Sequence, residues 1–226
     1  MDKNNEKIII SIEGNIGVGK TTFISIISNN IGDAFVVKEP VDEWLQLTNS
    51  DGTNLLETYY GDNNRWAYSF QNMACLTKME KLLETLKNPN VSSKYIFLDR
   101  SIETDLNVFS SMYIDNKTYS GLEYSMFKKF YQIYQNYLKP PNRQFYIYLK
   151  CSAEKSLERI KKRNRPEEKN ITLEYLQTIA DYHDKWLGDK NQSNNDIVVF
   201  DCENDFETNP EIINQMIDVL KMKINV

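Results

Sequence analysis

The chain alternates between short, nearly continuous apolar runs and longer stretches in which apolar residues recur every three or four positions. Runs rich in β-branched and aromatic residues at 7–13, 34–38, 95–99, 144–150 and 196–201 lack in-out alternation and predict strands buried on both faces of a parallel sheet. Between them, helical spacing predicts helices over 21–30, 64–87, 121–138, 153–162, 173–187 and 211–223. The last follows Pro210 and carries Ile212, Ile213, Met216, Val219 and Leu220 at helical spacing. Strand and helix in turn imply an α/β fold with a mostly parallel sheet of about five strands, helices on both faces and right-handed crossovers. Ligands of such sheets bind at the carboxyl ends of the strands, so the residues just after each run matter most. Polar stretches at 48–54 and 190–195 read as surface loops, and neither divides residues 1–226 into separate domains.

The first strand runs into Gly14-Asn15-Ile16-Gly17-Val18-Gly19-Lys20-Thr21, a full match to the phosphate-loop pattern G-x-x-x-x-G-K-[ST]. Gly14, Gly17 and Gly19 let backbone N–H groups converge on phosphate oxygens, with Asn15 and Thr22 in the same cradle. Lys20 supplies a point charge at the β- and γ-phosphates, and the Thr21 hydroxyl can ligate Mg2+. A nucleoside triphosphate is therefore the first ligand the chain predicts.

Composition narrows the remainder. At 226 residues and 41% hydrophobic, the chain can bury one substantial core. A net charge of −5 argues against a broad nucleic-acid-binding surface. Cys75, Cys151 and Cys202 are far apart, form no C-x-x-C and have only His183 for company, which reads as free core thiols in a reducing compartment. The acidic start and the lack of a long apolar stretch predict no signal peptide, transit peptide or membrane span, and a cytoplasmic location.

Several polar residues stand where chemistry is wanted, each with an ordinary structural alternative. Glu39 precedes Pro40 after the second strand; it is either a solvated loop residue or a carboxylate placed to accept the proton of an attacking hydroxyl. Asp99 and Arg100 end the third strand, as a buried pair or as a contact to Mg2+ beside a guanidinium aimed at the transferring phosphoryl. Arg159 and Arg163 share a helix face, and Pro166 pushes Arg165 out of the helix. The three guanidiniums can gather as a lid over phosphates, or form a solvated basic helix end. Gln71 and Lys78 fall on one stripe of the 64–87 helix, near Phe70, which reads as core, as a subunit interface or as the edge-reading wall of a nucleobase site.

Taken in order, GNIGVGKT, EPV at 39–41, RWAYSFQ at 65–71, DRS at 99–101, RIKKRNRPEE at 159–168, LEYL at 173–176 and DCENDF at 201–206 resemble the deoxyribonucleoside kinase family over nearly the whole chain. The resemblance implies a P-loop kinase fold with an arginine-rich lid at about 159–170, a single kinase domain, and a homodimer formed through helices. It implies ATP as phosphoryl donor, Mg2+, and a deoxyribonucleoside as acceptor, with neither nucleic acid nor membrane as partner. By that likeness Lys20, Glu39, Arg100, Arg163 and Arg165 are catalytic. Arg159, Glu203, Asp205 and Phe206 join the phosphate loop in holding the donor, and Thr21 and Asp99 serve the metal. Gln71 reads the base, with Phe70, Phe109 and Trp44 around it, while Tyr60 and Glu168 hold the sugar 3′-hydroxyl. Asp105 and Lys78 match the aspartate and arginine positions of members that favour purines or cytosine, which favours those bases over thymine. A thymidine-preferring member, a monophosphate kinase of the thymidylate type and a non-catalytic nucleotide-binding module are the alternatives. Intact Glu39, Asp99 and lid arginines speak against the last, and the charge of Glu39 would repel a monophosphate acceptor.

Overall fold

The computed structural model describes residues 7–188 and 196–224; the predicted loop at 190–195 and the first six residues lie outside them. Five strands, β1 (Ile8–Gly14), β2 (Ala34–Val37), β3 (Tyr95–Asp99), β4 (Arg143–Lys150) and β5 (Ile197–Asp201), pair in parallel in the order β2-β3-β1-β4-β5. The α/β fold read from the apolar runs is the one observed. β1 and β3 are buried almost throughout, as their unbroken apolar sequences require, whereas β2 is an edge strand and leaves Phe35 36% exposed.

Alternation along the strands sorts their side chains between two helical layers. Ile10, Ile12, Phe97, Phe145, Ile147 and Leu149 pack with Phe23, Ile24 and Ile27 of α1 (Lys20–Asn30) and with Met216 and Leu220 of α10 (Pro210–Ile224). Ile9, Ile96 and Leu98 instead meet Leu82 of α4 (Asn63–Lys87). Ile9, Ile10 and Ile12 have no exposed surface, and burial on that scale stabilises by about 1.5–3 kcal/mol for each side chain.

A second apolar cluster joins Trp44, Leu56, Tyr59, Phe70, Phe109, Tyr113 and Ile179. It is assembled from α2 (Val41–Gln46), α3 (Leu55–Gly61), α4, α6 (Ser111–Asp115), α9 (Leu173–Leu187) and a π-helical turn (Asp105–Ser110) that continues α5 (Ile102–Thr104). The short helices α2, α3, α5 and α6 escape the sequence pattern because three to seven residues complete too few turns to display a period. The predicted 121–138 helix is α7 (Gly121–Ile133) running into a second π turn (Tyr134–Leu138), and α8 (Ala153–Arg163) follows β4. The polar stretch 48–54 closes through a single antiparallel bridge between Thr48 and Asn54. Asn54 then caps α3 by accepting the Glu57 N–H at 2.8 Å.

Strand order carries the site. Across the carboxyl edge lie, in sequence, the segment after β2 with Glu39, the end of β3 with Asp99 and Arg100, the phosphate loop after β1, and then the ends of β4 and β5.

Candidate active site

The loop after β1 turns through Gly14, Gly17 and Gly19 at φ of 139°, 79° and 103°, a region that side-chained residues avoid. Space imposes the same choice at Gly17, where a Cβ would stand 2.7 Å from the Ser156 carbonyl oxygen and 2.8 Å from Ile160. Helix α8 therefore rests directly on the loop. Asn15 ties the other side to α9, its Nδ2 donating to the Leu176 carbonyl at 2.9 Å while its Oδ1 accepts from the Ile16 N–H at 2.9 Å. Lys20 is 8% exposed and donates to the carbonyls of Asn15 (2.9 Å) and Gly14 (3.3 Å). Burial, with the charge of Arg100 adding to it, pushes this ammonium down to about 7 against the pull of Asp99 and Glu39. Phosphate oxygens in the loop would supply counter-charge and favour its protonated form.

Thr21 Oγ1 donates to Asp99 Oδ2 at 2.8 Å, and Asp99 Oδ1 is buried with no partner. Burial raises the Asp99 carboxyl above its ordinary value, and the charge of Glu39 adds to the effect. A hydroxyl beside a carboxylate with one free oxygen suits Mg2+, which takes few protein ligands and keeps water and phosphate oxygens around it. Among the described residues, no group of three or more His, Cys, Asp or Glu side chains gathers as a protein-only metal site. Next in the chain, Arg100 has φ of 68°, donates its N–H to the Ile12 carbonyl at 3.1 Å, and stands with Nε 3.6 Å from Glu39 Oε1. Its Nη1 is also buried without a partner, and the guanidinium lies 5.6 Å from the centroid of Phe109.

On the other side of Glu39 is the second apolar cluster. Phe70 stacks on Tyr59 with centroids 4.1 Å apart and meets Trp44 edge-on at 5.2 Å. The Trp44 indole N–H is occupied by Thr77 Oγ1 at 3.1 Å, which leaves only its ring for a ligand. Gln71 is 1% exposed and its Oε1 has no partner. Two turns further along α4, Lys78 Nζ meets Asp105 Oδ1 at 2.7 Å in a buried pair, and Asp105 Oδ2 is unpartnered. Burial lifts the Asp105 carboxyl to about 6 in spite of Lys78, whose own ammonium is held charged by that contact. The π turn is the kind of widened helix that recurs at functional sites, and it carries both Asp105 and Phe109.

The basic segment predicted as a lid ends α8. Asn164 adopts φ of 55° and Arg165 is extended before Pro166, so the helix stops where proline requires. Glu168 is 5% exposed and is gripped by Arg163 Nη2 at 2.6 and 2.7 Å, with Arg165 Nη1 3.6 Å away. Arg159 does not join them, contrary to a gathering of all three. One turn back on α8, it reaches Asp205 at 2.8 Å and the Val18 carbonyl at 3.3 Å, because the phosphate loop and the segment after β5 offer acceptors there. Tyr60 is half-buried; its hydroxyl is held well above the usual phenol range by burial, with the charges of Tyr59 and Glu168 adding, and so keeps its proton.

The residues after β5 expected to hold the donor are committed to the fold. Glu203 accepts from the Ser152 N–H and Oγ at 2.7 and 2.8 Å, capping α8, and Asp205 holds Arg159. Phe206 is 2% exposed, edge-on to Phe23, and its ring would touch a Cβ placed on Gly19. Thr22 is partly exposed on the first turn of α1.

Two features went unread in the sequence. Glu13, with no exposed surface, accepts the Ser101 N–H at 2.8 Å and the Thr104 hydroxyl. Its signal was a carboxylate ending an apolar strand. The hydroxyls of Tyr59, Tyr113 and Tyr175 bond to one another, with the Asn63 amide donating to Tyr113 at 3.1 Å. These tyrosines come from three helices, and nothing local announces their meeting.

Comparison with known proteins gives the same picture as the site. A family model described as deoxynucleoside kinase matches residues 10–225. The chain is similar to the mitochondrial deoxyguanosine kinase of Xenopus laevis, with 30% identity over 88% of this chain and 83% of the relative. It is also similar to deoxycytidine kinase 2 of Gallus gallus, with 30% identity over 94% and 88%. To the deoxycytidine kinase of Bos taurus it is 35% identical over 79% of this chain and 74% of the relative. A phosphate loop facing a carboxylate and an arginine at the neighbouring strand ends, matched along nearly the whole chain, makes this protein a member of the deoxynucleoside kinase family.

Proposed function

We propose that the chain transfers the γ-phosphoryl of ATP to the 5′-hydroxyl of a deoxyribonucleoside whose base carries an exocyclic amine. The observation that carries this reading is a set of buried, unpartnered polar atoms: Gln71 Oε1, Asp99 Oδ1, Arg100 Nη1 and Asp105 Oδ2. Orphaned buried polar groups are costly, so atoms of this kind point to a ligand that completes them. Two acceptors, on Gln71 and Asp105, suit an amine donor of cytosine, adenine or guanine better than the carbonyl of thymine. The deoxyguanosine and deoxycytidine kinases among the relatives support the same choice.

In this reading the phosphate loop, Lys20, Thr22 and Arg159 hold the triphosphate, with Glu203, Asp205 and Phe206 framing the donor side. Thr21 and Asp99 would hold Mg2+, which when bound neutralises charge on the β- and γ-phosphates. Glu39 orients the 5′-hydroxyl and takes its proton late in an in-line transfer; Arg100, steadied against Glu39, meets the charge on the moving phosphoryl. Phe70, Phe109 and the Trp44 ring enclose the base, and Tyr60 with Glu168 receives the 3′-hydroxyl. Arg163 and Arg165, now resting on Glu168, close over the phosphates when the donor arrives.

Residues 1–226 act as one kinase unit. Leu122, Met126, Ile133 and Tyr137, on α7 and the turn after it, and Leu76 of α4 are exposed by between 38% and 81%, and support a homodimer formed through these helices. Among the described residues no helix is long and apolar enough to cross a membrane, and the buried free thiols suit a cytoplasmic setting. The test offers labelled ATP separately with each deoxyribonucleoside, ribonucleoside and nucleoside monophosphate. Label on the 5′-oxygen of deoxycytidine or a purine deoxyribonucleoside is the expected result. Label on monophosphates alone, or on nothing, would overturn the reading.

A further inference from the structure

Arg100 occupies a backbone conformation that a residue with a Cβ reaches only under constraint, at φ of 68°. Something must over-determine the turn at 99–101, and the contacts around it identify what. Arg100 N–H is held by the Ile12 carbonyl at 3.1 Å, and the next N–H, that of Ser101, is held by Glu13 Oε1 at 2.8 Å. The other Glu13 oxygen accepts the Thr104 hydroxyl, which fixes the first turn of the helix that follows. Both carboxyl oxygens thus receive donors, although the side chain has no exposed surface and burial raises its carboxyl above the ordinary value against those hydrogen bonds. Burying a carboxyl group is unfavourable, and an apolar residue ending β1 would satisfy the core without it. The position therefore serves the turn rather than the packing.

We propose that Glu13 is a positioning residue for the transfer step: its carboxylate clamps the turn at 99–101 so that Asp99 faces Thr21 and the Arg100 guanidinium faces Glu39. Glu13 has no exposed surface and acts through Ser101 and Thr104, at the strand end that leads directly into the phosphate loop. One residue of β1 in this way registers the β3 end against the donor loop, and the inference rests on the phosphoryl-transfer reading of that site.

The test compares wild type, Glu13→Gln and Thr104→Val for kcat, KM for ATP, melting temperature and amide exchange at Ser101. Gln keeps one acceptor for Ser101 but presents N–H groups where Thr104 donates. Glu13→Gln is expected to lower kcat about tenfold, with KM for ATP changed by less than about threefold, because the loop itself is intact. Exchange at Ser101 should accelerate while amides of α1 stay protected, and the melting temperature should hold or rise. Thr104→Val, which leaves the carboxylate in place, should cost about threefold in kcat. Unchanged kcat in Glu13→Gln would overturn the proposal, as would a loss that tracks a fall in melting temperature with faster exchange throughout the domain. If Glu13→Gln fails to fold, Thr104→Val decides, and unchanged kcat and unchanged Ser101 exchange in that variant would sink the clamp. A wild-type protein inactive on every deoxyribonucleoside would overturn the phosphoryl-transfer reading instead, with the exchange data still reporting on the turn.

Discussion

Around the phosphate loop most polar side chains are already paired, with Asp99 Oδ1 an exception: Lys20 rests on two carbonyls, Asn15 on Leu176, Arg159 on Asp205 and Val18. Around Gln71 on α4 and Asp105 on the π turn, buried oxygens stand without partners. The phosphate-loop half is built mainly from backbone in a shape that three glycines permit, and the free Asp99 oxygen beside it lacks a partner. The acceptor half is built from side chains on α4 and the π turn, and it is incomplete in a pattern that describes what it lacks. On the proposed reading the first kind of site would recognise a chemistry common to every nucleoside triphosphate, and the second would select among bases.

The sharpest way to break this division is at its two ends. Lys20→Ala should lower kcat/KM for ATP by about 10³-fold while deoxycytidine binding, read by calorimetry, changes little. Comparable losses for both ligands would mean the halves are not separable. Glu39→Gln, at the border between them, should lower kcat by about 10²-fold with a smaller change in nucleoside affinity. Normal turnover would remove Glu39 from the chemistry.

Within the acceptor half, Lys78 and Asp105 form a buried pair at 2.7 Å, so removing one partner leaves an unpaired charge. Lys78→Met should destabilise the fold by about 3–5 kcal/mol, measured by denaturant unfolding. The double variant Lys78→Met with Asp105→Leu should recover most of that loss. If the single variant unfolds like wild type, the pair matters neither to stability nor to the geometry of the base site.

A smaller effect follows from pH. Asp105 has its carboxyl raised from 3.8 to about 6, chiefly by burial, with Lys78 and Arg100 opposing and Glu39 adding. A raised carboxyl pKa means that the folded protein takes up this proton near pH 6 while the unfolded chain waits until about 3.8. Between those values protonation favours the fold, so what is lost on acidification is the acceptor rather than stability. The value of kcat/KM for deoxycytidine should fall several-fold as pH drops through about 6, and Asp105→Asn should abolish that inflection. An inflection that survives in Asp105→Asn belongs to another group.

The same contrast explains what could be read from the chain. The phosphate loop, five strands and six long helices were legible because each is local: glycines at fixed offsets, unbroken apolar runs, a period of three to four. Asp99, Arg100 and Glu39 were legible as strand-end residues, but nothing in the sequence put Arg100 at φ of 68° or set Glu13 beneath it. The three arginines illustrate the limit. Spacing placed Arg159 and Arg163 on one face, yet Asp205, 46 residues further along the chain, draws Arg159 away while Glu168, five residues on, holds Arg163. The tyrosine hydroxyl cluster and the π turn were invisible for the same reason: tertiary packing, not local preference, makes them.

The central claim is that the unpaired oxygens of Gln71 and Asp105 await an amine. The direct measurement is a competition in one tube, with limiting labelled ATP and equimolar deoxycytidine and thymidine, followed by separation of the two monophosphates. The account predicts at least about tenfold more label in the deoxycytidine product, the scale of discrimination that one unmet buried hydrogen bond supplies. Equal labelling, or an excess in the thymidine product, would contradict it.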